Sequence, residues 1–461
     1  MPAKTPAARK KQRTGLSASA KAVLRHGSHA AILSRFAGLT PTLQSGRWLP
    51  KTNRYATDTA AKVKHLLKAN KSVKRREGEL VAYVAVSGPL HCSDGWSYLG
   101  RAIAALIVGD ANAARHLAYY AELRAAMSIM ATEGVGIFND RHIVVDEASR
   151  CTHVPQASPT HRFTWACIKH WAALPRARQP LMDMVRPGST AIGDWLDQFI
   201  SGHRTTVAAR WLSYWGLDLR SFAEDRDARN EASYRPSALR QRSLTSISER
   251  SEFIDSLWSL CEPTQPSRFE TLDRYILRDT IRQIYTINTT NAWNSDLDDF
   301  RRRCLRMINA VAPSGLSEDN WLSFLTGEVL PNRPLVLTEA DDRTATVSHP
   351  RHHLKVIARA ALLLRLATGA SANLLAHGKA SSDVLRFWWE ALGRDSGLWR
   401  SAGPPDDLTD LWVDVEEALT VNREWVAETS DSSVGSWIAS RAAALQTLGS
   451  CERIGLWGLG L

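Results

Sequence analysis

The sequence predicts a mainly α-helical protein built from helical-bundle domains with one small β-hairpin. Three observations predict this fold class. Apolar residues recur every three or four positions along most of the 461 residues, as they do on the buried face of an amphipathic helix. Ser, Asp or Pro precedes many of these runs and Gly follows several of them, and these residues start and stop helices. Strand-like patterns are confined to two short stretches.

The strongest helical signal is a pair of helices joined by a very short connection. The stretch "CSDGWSYLGRAIAALIVGD" offers Ser93 or Asp94 as the N-terminal cap and Gly109 as the stop. Asp110 can then cap a second helix, which runs to Gly134. Because the connection is so short, the two helices should lie antiparallel and form a helical hairpin.

Two stretches have the composition of β-strands. Residues 79–88, "ELVAYVAVSG", are rich in Val and end on Ser-Gly, so they predict a strand. After the helical hairpin, "VGIFND" and "RHIVVDEA" predict a β-hairpin that turns at Asn139-Asp140. The expected β content is therefore small.

Further helical patterns follow as far as the C-terminus. They cover 161–174, 190–201, 204–216, 247–261, 268–288 and 296–311, and several more after a last helical unit begins at His349-Pro350. Residues 331–348 have the Pro and acid content of a linker or exposed loop. A chain of this length exceeds one ordinary core. We therefore predict a basic, partly disordered arm over 1–76, a helical domain over 77–330 and a C-terminal helical domain over 331–461.

The positive charge belongs to the N-terminal segment. Residues 1–76 hold 18 Lys and Arg and a single acid, Asp58, so they carry +17, and the net charge of +11 leaves −6 for the rest. Such an arm can contact phosphates of a nucleic acid. It can equally be a solubilising tail, and its Arg- and Ser-rich, acid-poor start also resembles an organelle transit peptide.

The cysteines and the hydropathy indicate a cytoplasmic protein. The six Cys are scattered and form no C-x-x-C pair, which suits buried thiols in a reducing cytosol. No apolar window is long enough for a transmembrane helix. Arg359 and Arg365 interrupt the longest apolar run, so that run predicts a core helix.

No metal or cofactor is predicted. His349, His352 and His353 form "HPRHH", but no carboxylate or Cys nearby has the spacing of a third ligand. Phosphate-loop, serine-hydrolase and zinc-protease motifs do not occur in the sequence.

The second helix of the hairpin, residues 111–132, carries polar side chains in its middle. His116, Tyr120 and Arg124 are spaced four apart and share one helix face, with Glu122 close by. A histidine, a phenol and a guanidinium in one row could bind a phosphate or position a base. In a structural alternative, Glu122 and Arg115 pair with neighbouring helices while the tyrosines pack.

A second polar cluster lies in "ARNEASYRPS", near the end of a predicted helix. Arg229 offers a planar set of donors that suits phosphate oxygens. Asn230 can orient a neighbouring group, and the Tyr234 hydroxyl can donate or accept a hydrogen bond. Pro236 indicates that the helix ends near Tyr234. These residue types predict a phosphate-binding and possible catalytic site.

The helical hairpin with "YYAELRAAMSIMA", followed by "RNEASY", resembles the HEPN superfamily over about residues 95–240. Members include ribonucleases of toxin–antitoxin, abortive-infection and antiviral systems. Their motif is an Arg, a polar residue, a few variable positions and a His. Arg229 and Asn230 match its first two positions, and Tyr234 stands where the family has His. In the family the Arg and His act on the scissile phosphate and the 2′-hydroxyl of RNA without metal.

The resemblance implies an RNA-directed antiviral or toxin-like protein and a possible metal-independent endoribonuclease. It implies Arg229, Asn230 and Tyr234 as catalytic residues, His116, Tyr120, Glu122 and Arg124 as substrate-binding residues, and a homodimer. A Tyr with an ordinary pKa of about 10 is a poor general base at neutral pH. The alternative therefore stays open that the chain is a non-enzymatic scaffold with a protein partner and a nucleic-acid-binding basic arm.

Overall fold

The computed structural model describes residues 15–68, 77–199, 245–264, 267–327, 333–342, 344–346, 349–399, 403–429 and 433–461. Within these ranges the chain is mainly α-helical with one small antiparallel sheet, which confirms the predicted fold class. The helices in chain order are α1 (Ala18–Leu24), α2 (His29–Ala37), α3 (Thr40–Gln44), α4 (Thr59–Lys68), α5 (Glu77–Ile107), α6 (Ala111–Thr132), α7 (Thr160–Ala172), α8 (Arg178–Asp183), α9 (Ile192–Phe199), α10 (Ile247–Leu260), α11 (Glu270–Thr289), α12 (Leu297–Val311), α13 (Glu318–Thr326), α14 (Leu335–Asp341), α15 (His352–His377), α16 (Ser382–Asp395), α17 (Leu411–Glu428), α18 (Val434–Leu448) and α19 (Glu452–Gly458). The strands are β1 (Val135–Phe138), β2 (Arg141–Val145) and β3 (Cys151–His153).

The predicted helical hairpin is formed by α5 and α6. Gly109 adopts a φ of 80° in the connection, a backbone conformation that glycine reaches without strain. The Asp110 carboxylate accepts hydrogen bonds from the backbone N–H groups of Asn112 at 3.1 Å and Ala113 at 2.9 Å. Both the stop at Gly109 and the cap at Asp110 are therefore confirmed.

One prediction about the first helix of this hairpin is wrong. Residues 79–88, predicted as a strand, lie within α5, which begins at Glu77 and not at Ser93 or Asp94. The side chains of Val81 and Val84 are completely buried. The β preference of Val is worth at most about 1 kcal/mol, so burial on a packed helix outweighs it.

Helix α15 packs against both helices of the hairpin and completes the core. Every residue from His352 to Ser371 is buried. The Trp96 indole donates a hydrogen bond to the Thr368 hydroxyl at 2.9 Å. A Cβ at Gly95 would lie 2.5 Å from Leu364, so glycine permits the close approach of α5 and α15. The apolar run that contains Arg359 and Arg365 is a core helix, as predicted.

The sheet follows the hairpin directly. β1 pairs antiparallel with β2, with Val135 opposite Val144 and Phe138 opposite Arg141, and β2 pairs antiparallel with β3. Asn139 adopts a φ of 45° in the turn, which Asn tolerates better than most residues. The predicted β-hairpin is confirmed, and β3 extends it to three strands.

The described part of the basic segment, residues 15–68, is folded against this core. The Ser28 backbone N–H donates to the Val145 carbonyl at 2.9 Å, and Ile32 and Phe36 are completely buried. α14 lies within the stretch predicted as a linker, and its Leu337 is 1% exposed. Buried apolar residues form one hydrophobic cluster that extends from Ala20 to Leu461. The division into three domains stays a prediction.

None of the helices within the described ranges is both long enough and apolar enough to cross a membrane.

Candidate nucleic-acid interface

The structure describes four of the seven predicted site residues. Arg229, Asn230 and Tyr234 lie outside the described residues. The four predicted substrate-binding residues all lie on α6, where His116, Tyr120 and Arg124 form the expected row and Glu122 points away from it.

The α6 row faces a matching row on α5. His91, Asp94 and Tyr98 are spaced three and four apart on α5 and come opposite His116, Tyr120 and Arg124 because the two helices are antiparallel. We call these six residues the hairpin face. The rings of Tyr98 and Tyr120 stack with centroids 5.4 Å apart, and the His116 ring lies 5.1 Å from Tyr120.

Arg124 anchors one end of the hairpin face. Its Nη1 donates to His91 Nδ1 at 2.9 Å and lies 3.5 Å from an Asp94 carboxylate oxygen. Desolvation and the adjacent Arg124 cation lower the pKa of His91 to about 3. His91 is therefore neutral at physiological pH and accepts through Nδ1, because a guanidinium only donates. Arg124 remains 30% exposed, so it is held in place and is also accessible.

Helix α7 adds a second layer of rings behind the hairpin face. His161 Nδ1 lies 3.3 Å from the Tyr119 hydroxyl, and the Trp165 indole donates to that hydroxyl at 3.3 Å. The His161 ring is 5.7 Å from the rings of both Tyr119 and Tyr120. Tyr119 is completely buried, so this layer fixes the position of the half-buried Tyr120.

A further cation lies beside the hairpin face, on the side of Tyr98 that is nearer the connection between α5 and α6. The guanidinium of the exposed Arg101 lies 5.5 Å from the centroid of Tyr98. A cation within about 6 Å of a ring centroid is attracted to the ring face. Arg101 and Arg124 therefore lie at either side of the tyrosine pair.

Glu122 does not join the hairpin face. Its side chain is completely buried and accepts from Arg359 Nε at 3.0 Å, and the Arg359 side chain is completely buried too. This ion pair links α6 to α15, as the structural alternative for Glu122 anticipated. A buried pair of this kind supports the fold and leaves no carboxylate there for a substrate.

The histidines of "HPRHH" do not form a metal centre. No group of three or more His, Cys, Asp or Glu within the described ranges could hold a metal ion. His353 is completely buried, and desolvation together with Arg115 lowers its pKa to about 3. It is a neutral core residue at physiological pH.

Sequence reasoning found the α6 half of the hairpin face and missed the α5 half. His91 was missed because the first helix was expected to start at Ser93 or Asp94. Tyr98 lay within the predicted helix, but its position opposite α6 was not worked out. An antiparallel hairpin places residues at similar distances from the turn opposite each other. Counting outward from Gly109 and Asp110 in this way would have paired Tyr98 with Tyr120.

Comparisons of the chain with protein-family models, with curated proteins and with solved structures found no match.

Proposed function

We propose that the chain binds single-stranded RNA and that the hairpin face contacts the strand. The observation that carries this proposal is the stacked pair Tyr98–Tyr120 between two accessible guanidiniums, Arg101 and Arg124. Single-stranded nucleic acids bind to aromatic rings, on which bases stack, beside cations that contact the backbone. A histidine on the same face, His116, adds a further ring.

The resemblance to HEPN proteins extends this proposal to catalysis. Arg229 would contact the scissile phosphate, Asn230 would orient it, and Tyr234 would take the place of the family's His. His116, Tyr120 and Arg124 would line the opposite wall. The reaction would be metal-independent RNA cleavage in a cytoplasmic antiviral or toxin-like setting. The helical hairpin supports the proposal, because it is the element on which the resemblance rests.

One observation favours a second candidate, RNA binding without cleavage. Glu122, the acidic residue predicted to line the substrate site, is held by Arg359 in the core. His91 is held neutral as the acceptor for Arg124. Neither Glu122 nor His91 is therefore placed to act as a general base on a bound strand.

Binding is tested by fluorescence anisotropy of a labelled single-stranded RNA oligonucleotide with the full chain in EDTA. Arg124→Met removes a charged donor and Tyr98→Leu removes a stacking ring. Each should weaken RNA binding about tenfold or more, since a charged hydrogen bond or a stacked base contributes about 1–3 kcal/mol. Arg386→Met is the control, because Arg386 is an exposed arginine on α16 paired only with the neighbouring Glu390 among the described residues. Unchanged affinity in both hairpin variants would contradict the proposal.

Cleavage is tested with the same RNA, separated on a denaturing gel, for wild type, Arg229→Ala and Tyr234→Phe. Loss of cleavage in both variants with RNA binding retained supports the ribonuclease. Binding by wild type without any cleavage supports the second candidate. Deletion of residues 1–14, which hold five Lys and Arg, then tests the basic segment without disturbing α1. If that deletion abolishes binding and the hairpin variants do not, RNA contacts the N-terminus instead.

A further inference from the structure

Three arginines form a row on α11 that the sequence analysis did not single out. Arg274, Arg278 and Arg282 are four residues apart, so they lie on one face of the helix. At 1.5 Å per residue the row is about 12 Å long. We call these three residues the arginine row. All three, and the aromatic residues that they contact, lie within the described residues.

Each guanidinium of the arginine row lies over an aromatic ring. Arg278 is 4.5 Å from the centroid of Tyr275 and 5.1 Å from that of Phe324, a residue of α13. Arg282 lies 3.9 Å from the centroid of Trp293. Guanidiniums stack on aromatic faces and lose part of their conformational freedom when they do. The rings therefore orient these planar donor groups before any ligand arrives.

Unlike Arg359 and Arg365, Arg278 has no ion-pair partner among the described residues. Arg359 is paired with Glu122 and Arg365 with Asp273. Arg278 is only 4% exposed, yet its Nε is buried without a hydrogen-bond partner. Within the described ranges its guanidinium has neither an ion-pair nor a hydrogen-bond partner. A buried N–H group without an acceptor is unfavourable, so it needs an explanation.

The carboxylate nearest in sequence, Asp279, acts on Arg278 through its charge but makes its hydrogen bonds to another arginine. Asp279 accepts from Arg333 Nε at 3.1 Å and from Arg333 Nη2 at 2.8 Å. At the other end of the row, Arg274 Nε lies 3.5 Å from a Glu270 carboxylate oxygen, and Arg282 Nη2 donates to the Leu325 carbonyl at 3.1 Å. Within the described ranges Arg278, at the centre of the row, is therefore the member whose guanidinium has no hydrogen-bonded acceptor.

Arg278 and Arg282 stay cationic at neutral pH. Burial and the neighbouring Arg278 lower the pKa of Arg282 to about 10, and burial lowers the pKa of Arg278. Like charges four residues apart on a helix repel each other. An anion placed between them would remove this repulsion. The terminal nitrogens of Arg278 are not among its fully buried atoms, so an anion can reach them.

We propose that the arginine row is a phosphate-binding site in which Arg278 makes the direct contact. A guanidinium presents parallel N–H donors that match two oxygens of one phosphate, whereas an ammonium acts as a point charge. Arg274 and Arg282 flank that phosphate and supply further positive charge. The phosphate belongs to a free nucleotide or to an RNA strand. This site is separate from the hairpin face, and the proposal does not depend on RNA binding there.

Phosphate binding is tested by calorimetric titration of the full chain with inorganic phosphate, then with a mononucleotide and with a single-stranded RNA oligonucleotide. The variants are Arg278→Met, whose apolar side chain can still pack against Tyr275 and Phe324, and Arg278→Lys, which keeps the charge and loses the planar fork. Arg386→Met serves again as the charge-matched control. Circular dichroism checks that each variant is folded.

We expect Arg278→Met to weaken phosphate binding about tenfold or more, and Arg278→Lys to weaken it by a smaller factor. Arg386→Met should leave it unchanged. If Arg278→Met weakens mononucleotide binding and leaves RNA binding unchanged, the row is a nucleotide site; if it weakens RNA binding as well, the row contacts a strand, because the hairpin face is intact in both proteins. Equal phosphate affinity in wild type and Arg278→Met, or no saturable binding of any of the three probes to wild type, overturns the proposal. Arg124→Met separates the two proposals, because it should weaken RNA binding at the hairpin face and leave inorganic phosphate binding unchanged.

Discussion

Removing one side of the Asp273–Arg365 ion pair should destabilise the fold more than removing both. Arg365, on α15, donates from Nε to Asp273 Oδ1 at 2.7 Å and from Nη2 to Oδ2 at 2.6 Å. Arg365 Nη1 also donates to the Met184 carbonyl at 2.8 Å, and Asp273 accepts from the Arg186 backbone N–H at 2.9 Å. Asp273 is completely buried and Arg365 is 5% exposed. The pair thus joins α11, α15 and the backbone at 184–186.

The magnitudes follow from which groups lose their partners. Arg365→Met leaves the Asp273 carboxylate buried with one backbone donor, and Asp273→Asn leaves the guanidinium buried beside a neutral amide. Each single change should cost about 3–5 kcal/mol of unfolding free energy, as expected for an orphaned buried charge. The double variant buries no charge at this position, and its new amide can still accept from Arg186. Its cost should be about 1–3 kcal/mol, mainly for the Met184 carbonyl that loses its donor.

The assay is urea denaturation followed by circular dichroism and tryptophan fluorescence, for wild type, both single variants and the double variant. The double-mutant cycle should give a coupling energy above about 3 kcal/mol. The exposed pair Arg386–Glu390, 3.3 Å apart with side chains 59% and 41% exposed, provides the control, and its coupling should stay below about 1 kcal/mol. Single costs at Asp273 and Arg365 that simply add in the double variant would refute the reasoning.

Two further predictions concern pH and helix packing. The pKa of His353 is lowered from 6.5 to about 3, so its contribution to stability is complete above pH 6.5 and is lost as the pH falls toward about 3, by about 1.4 kcal/mol per pH unit. Glu270 acts in the opposite sense, because burial raises its pKa from 4.5 to about 7 and its contribution is lost as the pH rises through that range. Because His353→Gln lacks the buried imidazole, its urea midpoint should fall less steeply with acidification than that of wild type. Equal slopes of urea midpoint against pH for the two proteins would contradict this. Gly369→Ala would place a Cβ 2.1 Å from the Met184 carbonyl oxygen and should cost about 1–3 kcal/mol or more. Gly435→Ala, with no atom nearer than 3.7 Å, should instead stabilise by about 0.4–1 kcal/mol; equal melting temperatures for the two variants would count against this packing argument.

Features set by local chemistry were predictable from the sequence. The stop at Gly109, the cap at Asp110 and the turn at Asn139 depend on backbone conformations and side-chain hydrogen bonds within a few residues. The error at 79–88 has a different origin. Val-rich residues there have a local β preference, but contacts with helices far away in sequence keep them in α5. No local pattern carries that information.

For the candidate sites too, the sequence predicted what depends on local spacing and missed what depends on distant contacts. The spacing of His116, Tyr120 and Arg124 placed them correctly on one face, because helix periodicity alone determines it. The sequence offered helix pairing of Glu122 only as an alternative and could not identify its partner, since Arg359 lies 237 positions away. Arg278 was missed for a related reason. Arginines four apart usually indicate a solvated helix face, and only the packing of Phe324 from another helix shows that this one is buried.

The two proposed phosphate contacts should also differ in strength, because, among the described residues, a carboxylate already contacts the arginine at one site and not at the other. At the hairpin face a phosphate must compete with Asp94, whose side chain is 53% exposed and lies 3.5 Å from Arg124. Displacing an exposed ion pair costs at most about 1 kcal/mol, but it subtracts from every phosphate contact made there. Arg278 has no ion-pair contact among the described residues, since the nearby Asp279 is bonded to Arg333, and its surroundings exclude most water. Charge–charge attraction is stronger and less screened by salt in a buried setting. Inorganic phosphate binding at the arginine row should therefore weaken only slightly with added salt, and a steep loss of affinity with salt would contradict a contact with the buried Arg278.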